Sequence, residues 1–196
     1  MSKNTKIYLD FDGCIVNTIK RIVDMYNEDF KYYENFTKIN WTDIDTWQFY
    51  ECKCASHSQL NTYFNTPRFF DGLEFMDNAK EVLDRLSSRY EIIIVSMGSK
   101  PNLKCKEIWI KDNLPYAKFI PINFNEYIDK HHIDMSNGIL MLDDKSSNLN
   151  TNAKNLAVFG DEYSWNNHWE GVRLHNWYEV ERFIAHLEQG YILKER

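Results

Sequence analysis

Short apolar runs alternate with stretches of helical periodicity through most of this chain, and that alternation leaves few folds open. Lys6-Ile7-Tyr8-Leu9, Glu91 to Val95, Lys118 to Ile120, Gly138 to Leu142 and Leu156 to Phe159 read as buried strands. Between them, Ile19, Ile22, Val23 and Tyr26 predict a helix over about Asn17 to Tyr32. Ala79, Val82, Leu83 and Leu86 predict another over Asn78 to Leu86, and a third is expected over Lys104 to Asn113. The order predicts an α/β fold, a Rossmann-like parallel sheet with crossover helices. From Tyr33 to Phe70 the pattern turns irregular and aromatic, which predicts a small, mainly helical cap inserted after the first strand. The expected division is a core of residues 1–16 and 71–196 and a cap of residues 17–70, with no internal repeat or flexible linker. A length of 196 residues suits one such domain.

In an open parallel sheet the ligand site forms beyond the carboxyl ends of the strands, so the loops there are read together. Asp10 and Asp12 follow the first strand, Ser96 follows the run ending at Val95, and Asp143-Asp144 follow Leu142. Carboxylates converging on one edge repel one another unless a cation neutralises them, and an all-oxygen donor set suits Mg²⁺. A carboxylate beside Mg²⁺ can attack phosphorus, which makes Asp10 the candidate nucleophile. Asp12, two residues on and followed by Gly13, is placed to protonate a leaving alkoxide and then deprotonate water. The Ser96 hydroxyl, nearby backbone N–H groups and a lysine would hold the remaining phosphoryl oxygens.

Other features narrow the class. A net charge of −6 argues against a long nucleic-acid substrate, which would want an extended basic track. Cys14, Cys52, Cys54 and Cys105 have no zinc-ligand spacing and read as ordinary thiols. The longest apolar runs are too short to cross a bilayer, and Met1 to Lys6 lacks the features of a signal peptide, so the expected location is cytoplasmic. A lone Asp or Ser at a strand end is often only a turn former or helix cap. His131 and His132 are adjacent, do not face one another and read as surface residues.

Asp10-Phe11-Asp12-Gly13, Ser96, a downstream lysine and Leu142-Asp143-Asp144 resemble the four motifs of the haloacid dehalogenase superfamily. A closer resemblance is to the 5′(3′)-deoxyribonucleotidases of cytosolic and mitochondrial type and their bacterial relatives. It rests on Thr66 to Leu73, on Lys106-Glu107-Ile108-Trp109 and on Asp129-Lys130. The resemblance implies Asp10 as nucleophile, Asp12 as acid and base, and Asp10, the Asp12 carbonyl and Asp143 as Mg²⁺ ligands supported by Asp144. It also implies Ser96, the Met97 backbone, Lys106 and Lys130 around the phosphate, with Phe70 lining the nucleoside pocket. Lys100, Lys104 and Lys111 compete with Lys106 for its role. Trp41, Trp47, Phe49 and Tyr50 offer faces for a nucleobase or form the core of the cap, and Trp47 is the candidate for substrate contact.

Departures fall where base and sugar would bind. Thr18 stands where the family often has an aromatic residue, Ile128 where it has arginine, and three extra residues separate Lys130 from the acidic pair. The expected function is Mg²⁺-dependent hydrolysis of deoxynucleoside 5′-monophosphates through an aspartyl phosphate. The alternatives are a related phosphatase acting on another small phosphate or an oligonucleotide end, and a noncatalytic phosphate-binding module. A homodimer is compatible with each.

Overall fold

Strand residues that are buried on both faces, and that alternate between two apolar clusters, organise the sheet. The computed structural model describes residues 5–189. The reading of the N-terminus over residues 1–4 and the outer limits of the expected core, 1 and 196, lie outside them. Strands β1 (Lys6–Leu9), β2 (Glu91–Gly98), β3 (Lys118–Asn123), β4 (Gly138–Asp143), β5 (Leu156–Phe159) and β6 (Val172–Leu174) form one sheet. Their order is β3-β2-β1-β4-β5-β6, and every neighbouring pair is parallel. Ile7, Leu9, Ile92, Ile94, Leu140, Leu142, Ala157 and Phe159 belong to one buried cluster, and the intervening Tyr8, Ile93, Val95, Met141 and Val158 to another. Truncating a fully buried residue such as Leu9 or Leu142 to alanine costs about 2–5 kcal/mol.

The first cluster is closed by helices. They are α1 (Thr18–Phe30), α2 (His57–Tyr63), α3 (Pro67–Asp71), α4 (Ala79–Ser87), α5 (Lys100–Asn113) and α6 (Trp177–Glu188). Helix α4 buries Ala79, Val82, Leu83 and Leu86, and α6 buries Trp177, Val180, Phe183 and Ile184. The opposite cluster is covered more thinly, by Met135, Leu149 and partly buried loop residues such as Trp169. Among the described residues, no α-helix lies between β3 and β4 or between β4 and β5. Nor is any helix there long and apolar enough to cross a membrane.

Three local readings change. Strand β2 continues to Gly98, so Ser96 lies inside it, because β3 runs on to Asn123 and pairs with Ser96, Met97 and Gly98. Helix α5 begins at Lys100 rather than Lys104, because Ser99 caps it by accepting from the Asn102 N–H, with Pro101 in the first turn. Strand β6 has only Val172, Arg173 and Leu174, too few residues for periodicity to show.

The chain leaves β1 and returns at one place. Val16 bridges to Phe75, the Asn17 N–H donates to the Glu74 carbonyl at 2.9 Å and the Met76 N–H donates to the Ile15 carbonyl at 2.8 Å. Everything from Thr18 to Leu73 is thus strung between two adjoining points. Asn17 also caps α1, its side chain accepting from the Lys20 N–H at 3.0 Å.

Candidate active site

Strand order reverses about β1, whose neighbours are β2 and β4, and the crevice beyond the carboxyl ends of β1 and β4 is where such a sheet binds ligands. Asp10 directly follows β1, with its N–H donating to the Leu142 carbonyl of β4 at 2.8 Å. Asp143 ends β4 and Asp144 follows it. Carboxylate oxygens of Asp10, Asp143 and Asp144 lie within 4.8 Å of one another, and all three residues are buried. Lys130 is fully buried between two of them, its Nζ 2.5 Å from Asp10 Oδ1 and 2.6 Å from Asp143 Oδ2. Asp143 Oδ1 accepts from the Lys145 N–H at 2.9 Å and from Asn148 Nδ2 at 3.2 Å.

The electrostatics follow from that burial. Desolvation pushes Asp10 up to about 7, against the pull of Lys130 and with help from the charges of Asp143 and Asp12. Asp144 is driven well above the ordinary carboxylate range, first by desolvation and then by the charges of Asp143, Asp10 and Asp12. Lys130 is held above the ordinary lysine range because Asp10 and Asp143 outweigh its desolvation. The cluster is short of positive charge, and a hard divalent cation with oxygen ligands fits both the deficit and the donor set.

Beside the cluster, Asp12 is held from two sides. Thr18 Oγ1 donates to one oxygen at 2.8 Å, and the buried Lys106 ammonium pairs with the other. Lys106 Nζ also donates to Ser96 Oγ at 2.8 Å and to the Met97 carbonyl at 3.0 Å. Lys100, Lys104 and Lys111 are exposed, so the geometry separates Lys106 from its competitors in α5. The in-strand position of Ser96 aims its hydroxyl at this lysine rather than at a helix end.

Asp10, Asp12, Ser96, Met97, Lys106 and Asp144 open into a cavity of about 560 Å³. Trp47, Phe64, Phe124 and Ile128 line its apolar parts, with the carboxamides of Asn61, Asn65, Asn102 and Asn148 among them. Trp47 is therefore brought to the cavity. Phe70 is not: it is buried, edge-on to Phe69 at 5.1 Å between ring centroids, and Phe64 is the aromatic of this segment that reaches the cavity wall. Two bonds fix that wall to the core, Ser99 Oγ to Asn65 Oδ1 at 2.5 Å and Asn102 Nδ2 to the Phe64 carbonyl at 2.7 Å. His131 is exposed beside Asp129, and His132 stacks on Tyr127.

Sequence reasoning passed over Trp165. Its indole N–H donates to Asp144 Oδ2 at 3.0 Å. The two lie 21 residues apart, and neither periodicity nor motif spacing signals the contact.

A family model described as 5′ nucleotidase, deoxy (pyrimidine), cytosolic type C protein matches residues 4–189. The chain belongs to this family. It is accordingly a phosphatase of the 5′-nucleotidase kind. A 5′(3′)-deoxyribonucleotidase of Clostridium acetobutylicum is 26% identical over 191 residues, covering 96% of this chain and 98% of that relative. Among solved structures, a HAD family hydrolase of Deinococcus radiodurans R1 with bound phosphate and sodium aligns with a TM-score of 0.63 at 15% identity, covering 95% of this chain and 98% of the other. The HAD-type hydrolase YfnB of Bacillus subtilis, bound to magnesium, aligns with a TM-score of 0.57 at 10% identity over 93% and 99% of the two chains. This family member thus shares the haloacid dehalogenase fold with them.

Proposed function

We propose that this nucleotidase family member hydrolyses deoxynucleoside 5′-monophosphates through an aspartyl phosphate on Asp10, with Mg²⁺ as cofactor. The observation that carries the reading is the buried trio Asp10, Asp143 and Asp144 beside a separately anchored Asp12, all at the sheet's reversal point. Asp10, the Asp12 carbonyl and Asp143 would hold the ion, with Asp144 supporting them. When bound, the ion supplies charge neutralisation for carboxylate and phosphoryl oxygens.

The residues then divide the work. Asp10 attacks phosphorus and the bond to the leaving oxygen breaks, while protonated Asp12 gives its proton to that oxygen. Asp12 next takes a proton from water, whose oxygen attacks the aspartyl phosphate, and Asp10 is released as a carboxylate with free phosphate. Ser96, the Met97 backbone and Lys106 hold phosphoryl oxygens from the β2 side, and Lys130 restrains Asp10 and Asp143. Residues 17–70 act as a cap on a core of residues 1–16 and 71–196. Trp47 and Phe64 supply flat apolar surface for a base, and carboxamides offer both donors and acceptors to it.

The test is phosphate release from deoxynucleotides, ribonucleotides and sugar phosphates, with Mg²⁺ and with EDTA. Metal-dependent release from deoxynucleoside monophosphates above the rest is expected, and Asp10→Asn should abolish it while leaving the fold. Preference for another phosphate would remove the substrate assignment and keep the chemistry. Unchanged hydrolysis in Asp10→Asn would overturn the mechanism.

A further inference from the structure

The loop between β5 and β6 grips Asp144, the residue after the strand-end acid Asp143, at two points and is held by neighbouring Ser146 at a third. Trp165 Nε1 donates to Asp144 Oδ2 at 3.0 Å, Asn166 Nδ2 donates to the Asp144 carbonyl at 2.9 Å, and Ser146 Oγ donates to the Trp165 carbonyl at 3.1 Å. Asn166 is itself fully buried and carries Arg173 Nη1 on its side-chain oxygen at 3.2 Å, so the grip is tied into β6. On its other side the Asp144 carboxylate meets Gly13, where an added Cβ would sit 2.7 Å from Oδ2. Gly13 has φ of +69°, which suits glycine and lets the β1 loop come this close. The carboxylate is thus confined between a backbone that admits no side chain and a single indole N–H.

The Trp165 ring faces the cap segment. It stacks on Tyr163 at 4.4 Å with planes 2° apart and lies 5.4 Å from Trp47, which lines the cavity. Ser164 Oγ donates to the Asp45 carbonyl at 2.7 Å. One side chain therefore touches both the acid cluster and the aromatic wall of the cavity.

We infer that Trp165 is a positioning residue that orients the Asp144 carboxylate for the metal site through its indole N–H. The inference rests on the reading of Asp10, Asp143 and Asp144 as that site. A hydrogen bond to a carboxylate that supports the ligands fixes which of its oxygens faces them, and losing a support beyond the ligands typically weakens metal binding 10–100-fold. Trp165→Phe keeps a ring against Trp47 and Tyr163 and deletes only the donor. Trp169→Phe, in the same loop, deletes a donor directed at the Val172 carbonyl and is the matched control.

The experiment measures Mg²⁺ affinity by calorimetry and the indole N–H resonances by ¹⁵N-correlated NMR. Trp165→Phe should bind Mg²⁺ roughly 10–100-fold more weakly, with Trp169→Phe unchanged. In the wild-type protein the resonance that Trp165→Phe removes should shift on adding Mg²⁺, while the Trp177 resonance, whose N–H donates to the Cys14 carbonyl, stays. Should Trp165→Phe fail to fold, the wild-type spectrum decides, because no indole resonance moving with Mg²⁺ overturns the inference. Equal Mg²⁺ affinity in folded Trp165→Phe also overturns it and leaves the proposed function standing. Absence of Mg²⁺ binding by the wild-type protein removes the metal site itself.

Discussion

Thr18 Oγ1 donates to Asp12 Oδ1 at 2.8 Å, from the first residue of the helix that leaves the β1 loop. Lys106 holds the other oxygen of the same carboxylate, so neither is free to turn. Thr18→Val keeps the shape and deletes the donor. Hydrogen bonds to charged groups contribute about 1.5–3 kcal/mol, so kcat should fall roughly 10–100-fold. Steady-state kinetics at saturating Mg²⁺ check this, and an unchanged kcat would show that Lys106 alone positions Asp12.

Lys130 is the cation that two buried acids share. In Lys130→Met they lose it and stay buried, a change that typically costs about 3–5 kcal/mol. Urea unfolding in EDTA should show that loss, and Mg²⁺ should restore more stability to the variant than to the wild-type protein. Equal stability in EDTA would mean that the acids take up protons at no cost.

Arg68, on α3, reaches back to α1, with Nη2 2.7 Å from Glu28 and 2.8 Å from Asp29. Arg68 and then Tyr63 hold Asp29 below the usual carboxylate range, against desolvation. A carboxylate depressed in the folded state stabilises it above the unfolded pKa, and that contribution disappears as pH falls through the folded value. Asp29→Asn should therefore cost up to about 1 kcal/mol near neutral pH, the pair being partly exposed, and nothing in strong acid. Denaturation midpoints at the two pH values test the sign, and a cost that grows in acid would contradict it.

Phe64 and Phe70 offer opposite outcomes. Phe64→Ala should raise KM for a nucleotide by about tenfold, as for loss of an aromatic contact worth about 1 kcal/mol or more, with a small effect on stability. Phe70→Ala should cost about 3–5 kcal/mol of stability and leave KM nearly unchanged. Kinetics and thermal unfolding of both variants separate cavity wall from core; a KM effect confined to Phe70→Ala would return that residue to the pocket.

The acids and the sheet were legible because both are local. A strand is written in its own residues, and an acid at its carboxyl end inherits a place at the site from topology alone. Lys106 was readable from Trp109 three residues on, although exposed neighbours of the same type competed with it. Phe70 packs against Phe69 within α3, while Phe64, just before that helix, lines the cavity, and a run of neighbouring aromatics carries no mark of which one will face it. Trp165 was not legible at all, since its partner comes from another connection of the sheet and their meeting is a property of the assembled loops.

The pairing of β1 also sets when the site comes into being. Ile7 aligns with Ile92 on one side and Leu140 on the other, so the strand synthesised first waits for neighbours made much later. Contacts this distant in sequence carry a large loop-closure cost and form slowly. On the ribosome, the nascent chain gains one flank at β2 and the second only when β4 has emerged. Until then the edge that ends in Asp10 is unpaired, and the centre of the enzyme is the part its birth leaves open longest.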